Sequence, residues 1–188
     1  MSKAPRIKAD RETKDETKAG SYFVSNYPPF AFWNDSDIQC VESMVNSPKP
    51  SERPLGLYYH VPFCRKRCHF CYFRVYTDKS TKEIRRYLAA TLKELQAYAD
   101  SPYLQGRKPE FVYFGGGTPS SLSVKDLISL TDEMKRILPW DKAEEVTFEC
   151  EPGTLTEKKL EAIKNFGVTR LSLGVENFDD HILETNGR

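Results

Sequence analysis

From residue 55 onward the chain alternates strand-like and helix-like segments four times, and no other feature limits its fold so strongly. LGLYYHV (55–61), FVYF (111–114), EVTFEC (145–150) and VTRLSLGVE (168–176) are short runs of strand composition. Residues 81–99 place Ile84, Leu88, Leu92, Leu95 and Ala99 on one helical face, with Ser80 and Glu83 as a capping box at the start. Residues 124–138 repeat the pattern behind Ser123 as the cap, with Leu127, Ile128, Leu130, Met134, Ile137 and Leu138 apolar. Residues 156–166 put Leu160, Ile163 and Phe166 inward and stop at Gly167. DDHILET opens a fourth helix. Such alternation predicts an α/β fold of βα units on a parallel sheet. Four units do not close a barrel of the (β/α)8 type. Residues 55–188 are therefore expected to be the N-terminal part of a partial TIM-type barrel, incomplete in itself, and the ending Asn186-Gly187-Arg188 reads as an interruption of a longer barrel.

The preceding residues differ in kind. Residues 1–20 are half charged and almost without large apolar groups, so burial cannot offset their ordering entropy and a disordered tail is expected. Residues 21–54 are expected to be an aromatic N-terminal arm, SYFVSNYPPFAFW, followed by a linker, SPKPSERP. The balance of 28 basic and 27 acidic residues argues against nucleic acid or an anionic membrane as a partner. No apolar run approaches the ~18 residues of a membrane span, and the first 20 residues have no apolar stretch like that of a signal peptide.

Five cysteines are present, and three of them fall within eight residues as Cys64-Arg-Lys-Arg-Cys68-His-Phe-Cys71. An odd count clustered this way is a poor disulfide framework and points to a metal in a reducing compartment, here the cytoplasm. The cluster follows the first strand, at the end of the barrel where such folds keep their chemistry. Three thiolates holding a 4Fe–4S cluster would leave one iron open to an outside ligand. A zinc site using the three cysteines with His69 or His60 is the alternative, although it lacks the second, distant cysteine pair usual in structural zinc sites. Cys40 and Cys150 read as packing cysteines.

A glycine-rich run, Phe114-Gly115-Gly116-Gly117-Thr118-Pro119, follows the second strand on the same barrel face. Glycines there let the backbone approach a ligand without side-chain obstruction.

YYHVPFCRKRCHFCYF resembles the signature of the radical S-adenosylmethionine superfamily, most closely the branch containing oxygen-independent coproporphyrinogen III oxidase. The resemblance runs from about residue 55 to the end. It implies a 4Fe–4S cluster on Cys64, Cys68 and Cys71. It implies S-adenosylmethionine beside that cluster, its methionine end against Gly115, Gly116, Gly117 and Thr118. By the same resemblance Glu149 contacts the ribose, Arg188 pairs with the cofactor carboxylate, and Tyr58 lies on the cofactor side, with His60 supporting the cluster loop. Glu176 stands where the family commonly has Gln, which adds charge and removes an amide donor. Phe70 and Phe73 are expected to shield the cluster from water.

The activity implied is one-electron reductive cleavage of S-adenosylmethionine, followed by hydrogen abstraction from an unidentified small-molecule substrate. A reducing partner such as flavodoxin or ferredoxin is implied, and Arg65, Lys66 and Arg67 are candidates for docking it. The true oxidases carry a further cysteine two residues after the third ligand, where this chain has Phe73. Methyltransferases and cyclopropane-forming enzymes of the branch are therefore also in view. The alternative of a different class is a haem-binding or haem-trafficking relative that keeps the cluster without turnover.

Overall fold

The computed structural model describes residues 34–47 and 53–188. The expected tail at 1–20, the aromatic run at 21–33 and residues 48–52 of the linker lie outside them. The chain divides into two compact units, residues 1–41 and 42–188.

A helix, α1 (Ser36–Val45), occupies part of the stretch expected to be an arm, and its first half belongs to the first unit. Its start is capped reciprocally. Asn34 Oδ1 accepts from the Ser36 N–H at 3.0 Å, while the Asp37 carboxylate accepts from the Asn34 N–H at 3.1 Å. Cys40 on this helix is exposed, contrary to its reading as a packing cysteine.

The second unit carries a four-stranded parallel sheet in sequence order: β1 (Gly56–Val61), β2 (Phe111–Gly116), β3 (Glu145–Cys150) and β4 (Arg170–Leu173). The connections carry α2 (Thr81–Ala99), α3 (Val124–Ile137) and α4 (Glu157–Asn165), and α5 (Asp180–Thr185) follows β4. The caps lie where the side chains foretell them. Ser80 and Glu83 form both halves of a capping box on α2, Ser123 accepts from the Asp126 N–H on α3, and Gly167 past α4 has φ +92°. The fourth strand is shorter than its apolar run. Val175 turns back to the Leu173 carbonyl, and Glu176 takes φ +67°, which ends the extended backbone.

Period-2 alternation assigns the two faces of the sheet. Tyr59, Val61, Val112, Phe114, Val146, Phe148 and Cys150 are buried together with Leu88, Leu95, Leu127, Leu130, Met134, Ile163 and Phe166 from the helices. Phe114 is the hub of this core, with ring centroids 5.5 Å from Phe148, 5.7 Å from Phe166 and 6.1 Å from Trp140. Each such ring contributes roughly 1.5–3 kcal/mol through burial. Leu160, expected inward, is 39% exposed. Its neighbour Lys159 is buried instead, because its ammonium donates to the Ser120 carbonyl at 2.5 Å. The opposite sheet face carries Tyr58, His60, Tyr113, Gly115, Glu149 and Ser172. This is the interior of the partial barrel, and the parallel strands deliver all their carboxyl ends to one rim.

Candidate functional site

Those four carboxyl ends build one cavity of about 330 Å³. Its wall includes Cys64, Cys68 and Cys71 from the loop after β1, Gly116, Gly117 and Thr118 after β2, Glu149 and Glu151 at the end of β3, and Gly174, Glu176 and Arg188 beyond β4.

The cysteine loop is held from three sides. Cys64 N–H donates to the Tyr76 carbonyl at 3.1 Å and Tyr76 N–H returns to Pro62 at 2.8 Å, which closes the loop base. Cys71 N–H reaches Cys68 at 3.1 Å in a tight turn, braced by Arg67, whose Nη2 donates to the Cys71 carbonyl at 2.9 Å. The far end is tied to α5. His69 N–H donates to Asn186 at 3.0 Å, and His69 Nδ1 lies 3.0 Å from the Thr185 carbonyl oxygen. Arg65 donates to the Gly153 carbonyl at 3.1 Å. Two of the three basic side chains proposed for a redox partner are thus engaged within the fold, and Lys66 is exposed.

The glycine run fits against this loop with no room to spare. Gly117 and Thr118 N–H groups donate to the Val61 and Phe63 carbonyls, both at 2.8 Å, prolonging the ladder beyond the strands. A Cβ on Gly117 would stand 2.9 Å from Cys64 Sγ, 2.9 Å from the Phe63 oxygen and 3.1 Å from the Val61 oxygen. Gly116 has φ +116°, and a Cβ there would meet His60 at 2.7 Å.

Two side chains donate to the cysteine sulfurs. Thr118 Oγ1 lies 3.3 Å from Cys64 Sγ, and Arg188 Nη1 lies 3.7 Å from Cys68 Sγ. Arg188 also donates to the Gly174 carbonyl. Burial pushes the Cys64 thiol above its usual pKa, and the Thr118 bond works against that shift. Among the described residues, no three His, Cys, Asp or Glu side chains converge on a single ion. The three thiols share one cavity wall, and two of their sulfurs accept a hydrogen bond.

The sequence profile of the radical SAM superfamily matches residues 58–188. The chain belongs to that superfamily. A haem chaperone, HemW, from Haemophilus influenzae is 34% identical over 143 residues, covering 74% of this chain and 37% of the relative. Anaerobic coproporphyrinogen III oxidase 1 from Cereibacter sphaeroides is 30% identical over 135 residues, covering 72% of this chain and 30% of the relative. Among solved structures, coproporphyrinogen III oxidase (HemN) from Escherichia coli, titled a radical SAM enzyme, superposes with a TM-score of 0.70 at 27% identity, covering 83% of this chain and 34% of that one. The chain spans about a third of the length of these relatives. Its α/β architecture is the N-terminal part of the radical SAM barrel, and membership implies a 4Fe–4S cluster and S-adenosylmethionine.

Against the radical SAM signature, the cavity wall unites the three cysteines with Gly116, Gly117, Thr118, Glu149, Glu176 and Arg188. Tyr58 and Gly115, expected at the cofactor, lie on the interior sheet face outside that wall, and Tyr58 is 57% exposed. The Tyr58 ring stacks on Tyr113 at 5.9 Å and its hydroxyl is 3.0 Å from His60 Nδ1. Burial lowers the His60 pKa below its ordinary value. Phe70 and Phe73 line the cavity, yet they are 51% and 40% exposed and so form its open mouth rather than a sealed shield. Three contributors escape a motif reading: Tyr113, which donates to Glu149 at 2.6 Å; His69, which ties the loop to α5; and Lys159, behind the Pro119–Ser121 turn. Of these, Tyr113 is accessible from pattern alone, because it shares strand parity with Gly115.

Proposed function

We propose that Cys64, Cys68 and Cys71 hold a 4Fe–4S cluster beside an S-adenosylmethionine site, in a cytoplasmic protein that handles haem or its porphyrin precursors, with haem chaperoning as the leading reading. The observation that carries the cofactor assignment is the single cavity shared by the three thiols and the ends of all four strands. Bound there, cluster and cofactor together supply one-electron reductive cleavage of a sulfonium carbon–sulfur bond.

The residues around them bind, orient and tune. Gly116 and Gly117 offer bare backbone to the methionine end, and Arg188 presents a guanidinium suited to a carboxylate. Glu149, on the same wall, would accept from the ribose hydroxyls. Glu176, held at φ +67° on the same wall, adds a second acceptor. Thr118 and Arg188 withdraw electron density from the sulfurs of Cys64 and Cys68, which raises the potential of a cluster bound to them. Lys66 remains free to meet an acidic reductant such as flavodoxin or ferredoxin.

The sequence alone favours a turnover enzyme acting on an unidentified small molecule. Two observations support putting the haem chaperone first. Identity to the Haemophilus chaperone exceeds identity to the Cereibacter oxidase, 34% against 30%. Phe73 stands where the oxidases carry a further cysteine. The second reading, a coproporphyrinogen-oxidase-like radical enzyme, draws support from the superposition on HemN.

Anaerobic reconstitution with iron and sulfide, followed by electron paramagnetic resonance with and without S-adenosylmethionine, tests the shared part. A 4Fe–4S signal that shifts with the cofactor is expected, and its absence rejects both readings. Haem titration and a 5′-deoxyadenosine assay on the same sample then separate them. Stoichiometric haem uptake with little 5′-deoxyadenosine identifies the chaperone. Porphyrinogen-dependent 5′-deoxyadenosine formation without haem uptake identifies the enzyme.

A further inference from the structure

We infer that Tyr113 is a positioning residue for S-adenosylmethionine, acting through Glu149. The inference rests on the cofactor site proposed above. Tyr113 lies between Val112 and Phe114, which are 0% and 1% exposed beneath the helices, so strand alternation turns it to the barrel interior. Its hydroxyl donates to Glu149 Oε1 at 2.6 Å, and the Gly116 N–H donates to Oε2 at 3.1 Å. One donor on each oxygen sets the plane of the carboxylate. Each oxygen retains a lone pair for a ligand hydroxyl, and Glu149 lines the cavity that also holds the cysteines.

The ring does not need its hydroxyl for placement. It stacks on Tyr58 at 5.9 Å, has the Phe111 ring 6.1 Å away, and lies over Gly115, where a Cβ would approach Tyr113 Cε1 to 2.7 Å. The same hypothetical Cβ would stand 3.1 Å from both Glu149 Oε2 and Tyr58 Cε2. Gly115 is therefore the gap into which all three side chains close. Burial first, and then the bond to Glu149, push the phenol up to about 12, so it remains a proton donor throughout the neutral range.

The test is a double-mutant cycle on the whole chain with its cluster reconstituted anaerobically, reading the Kd for S-adenosylmethionine by equilibrium dialysis. Y113F is expected to weaken binding about tenfold, the effect of losing a hydrogen bond to a charged group. Iron and sulfide content and the paramagnetic spectrum without cofactor should stay as in the wild type. Y113F/E149A is expected to bind no worse than E149A, because the hydroxyl then has nothing to orient. A wild-type Kd in Y113F, losses that add in the double variant, or loss of the cluster in Y113F would each overturn the inference. A wild-type chain that holds its cluster but takes up no cofactor would overturn the underlying site and this inference with it.

Discussion

The hydroxyl of Thr118 donates to the sulfur of Cys64 at 3.3 Å, joining two residues 54 positions apart at the ends of adjacent strands. The bond exists because β1 and β2 pair in register from Gly56↔Phe111 to Val61↔Gly116, and the ladder continues through Gly117 and Thr118. A hydrogen bond to a ligating sulfur withdraws electron density and raises a cluster's potential. Thr118→Val keeps the shape and removes the donor. The reconstituted variant should hold a full cluster whose midpoint lies at more negative potential than in the wild type, as read by a redox titration monitored by paramagnetic resonance. An unchanged midpoint would show that the bond does not act on the cluster.

Gly117 presents a harder limit. A Cβ there would stand within 3.1 Å of two backbone oxygens and the Cys64 sulfur, and backbone cannot yield as a flexible side chain can. Gly117→Ala should cost about 1–3 kcal/mol of stability, as over-packed sites do, and should lower the iron bound per chain. Thermal unfolding and iron quantitation check this together. A variant with normal iron and an unchanged melting temperature would mean the loop accommodates the methyl group.

Much of this was legible in the amino-acid order, for physical reasons that differ from element to element. The alternation after residue 55 reports a parallel sheet because each strand must be buried on its helix-facing side, and the pairing order is that of the sequence. Ser80, Glu83 and Ser123 announce helix starts through bonds made within four residues. Where the reading failed, the deciding contact was either overlooked or distant. The helix α1 contains no aromatic residue and follows the aromatic run with which the expected arm groups it, although Asn34 and Asp37 carry its cap. Lys159 takes the buried place expected for an apolar neighbour because a carbonyl 39 residues away accepts from it. The site follows the same division. Cysteine spacing and the glycine run are local patterns, whereas the Tyr113–Glu149 and His69–Thr185 contacts span 36 and 116 residues.

The His69 contact carries its own consequence. Its ring bonds a carbonyl at the C-terminal end of α5, and Gly187, at φ +69°, brings the chain so close that a Cβ would lie 3.2 Å from His69 Nε2. His69→Ala should release the middle of the cysteine loop from this anchor without removing a thiol. The cluster should form, then bleach severalfold faster than the wild type when an iron chelator is added, as followed by its visible absorbance. Equal bleaching rates would show that the loop is held well enough by the backbone bond of residue 69 to Asn186 and by the bonds of Cys64, Arg67 and Tyr76.

Remote from the cavity, Asp126 ties α3 to α2. It is 8% exposed, accepts from Ser123 Oγ at 2.6 Å and pairs with Arg85 at 2.8 Å. Burial alone would raise its pKa, but the bonds from Ser123 and Arg85 outweigh burial and hold it below its ordinary 3.8. A carboxylate whose folded-state pKa is depressed stabilises the fold fully above its unfolded value, and that contribution disappears as pH falls through the lower folded value. Asp126→Ala should therefore cost about 1 kcal/mol at neutral pH, mostly from the lost bond to Ser123, because Arg85 is 54% exposed and water can replace its partner. The difference between wild type and variant should stay level down to about pH 5 and shrink below 3.8. Urea unfolding of the cluster-free chain across that range measures it. A gap that is constant into acid would assign the effect to packing rather than to the ionised carboxylate.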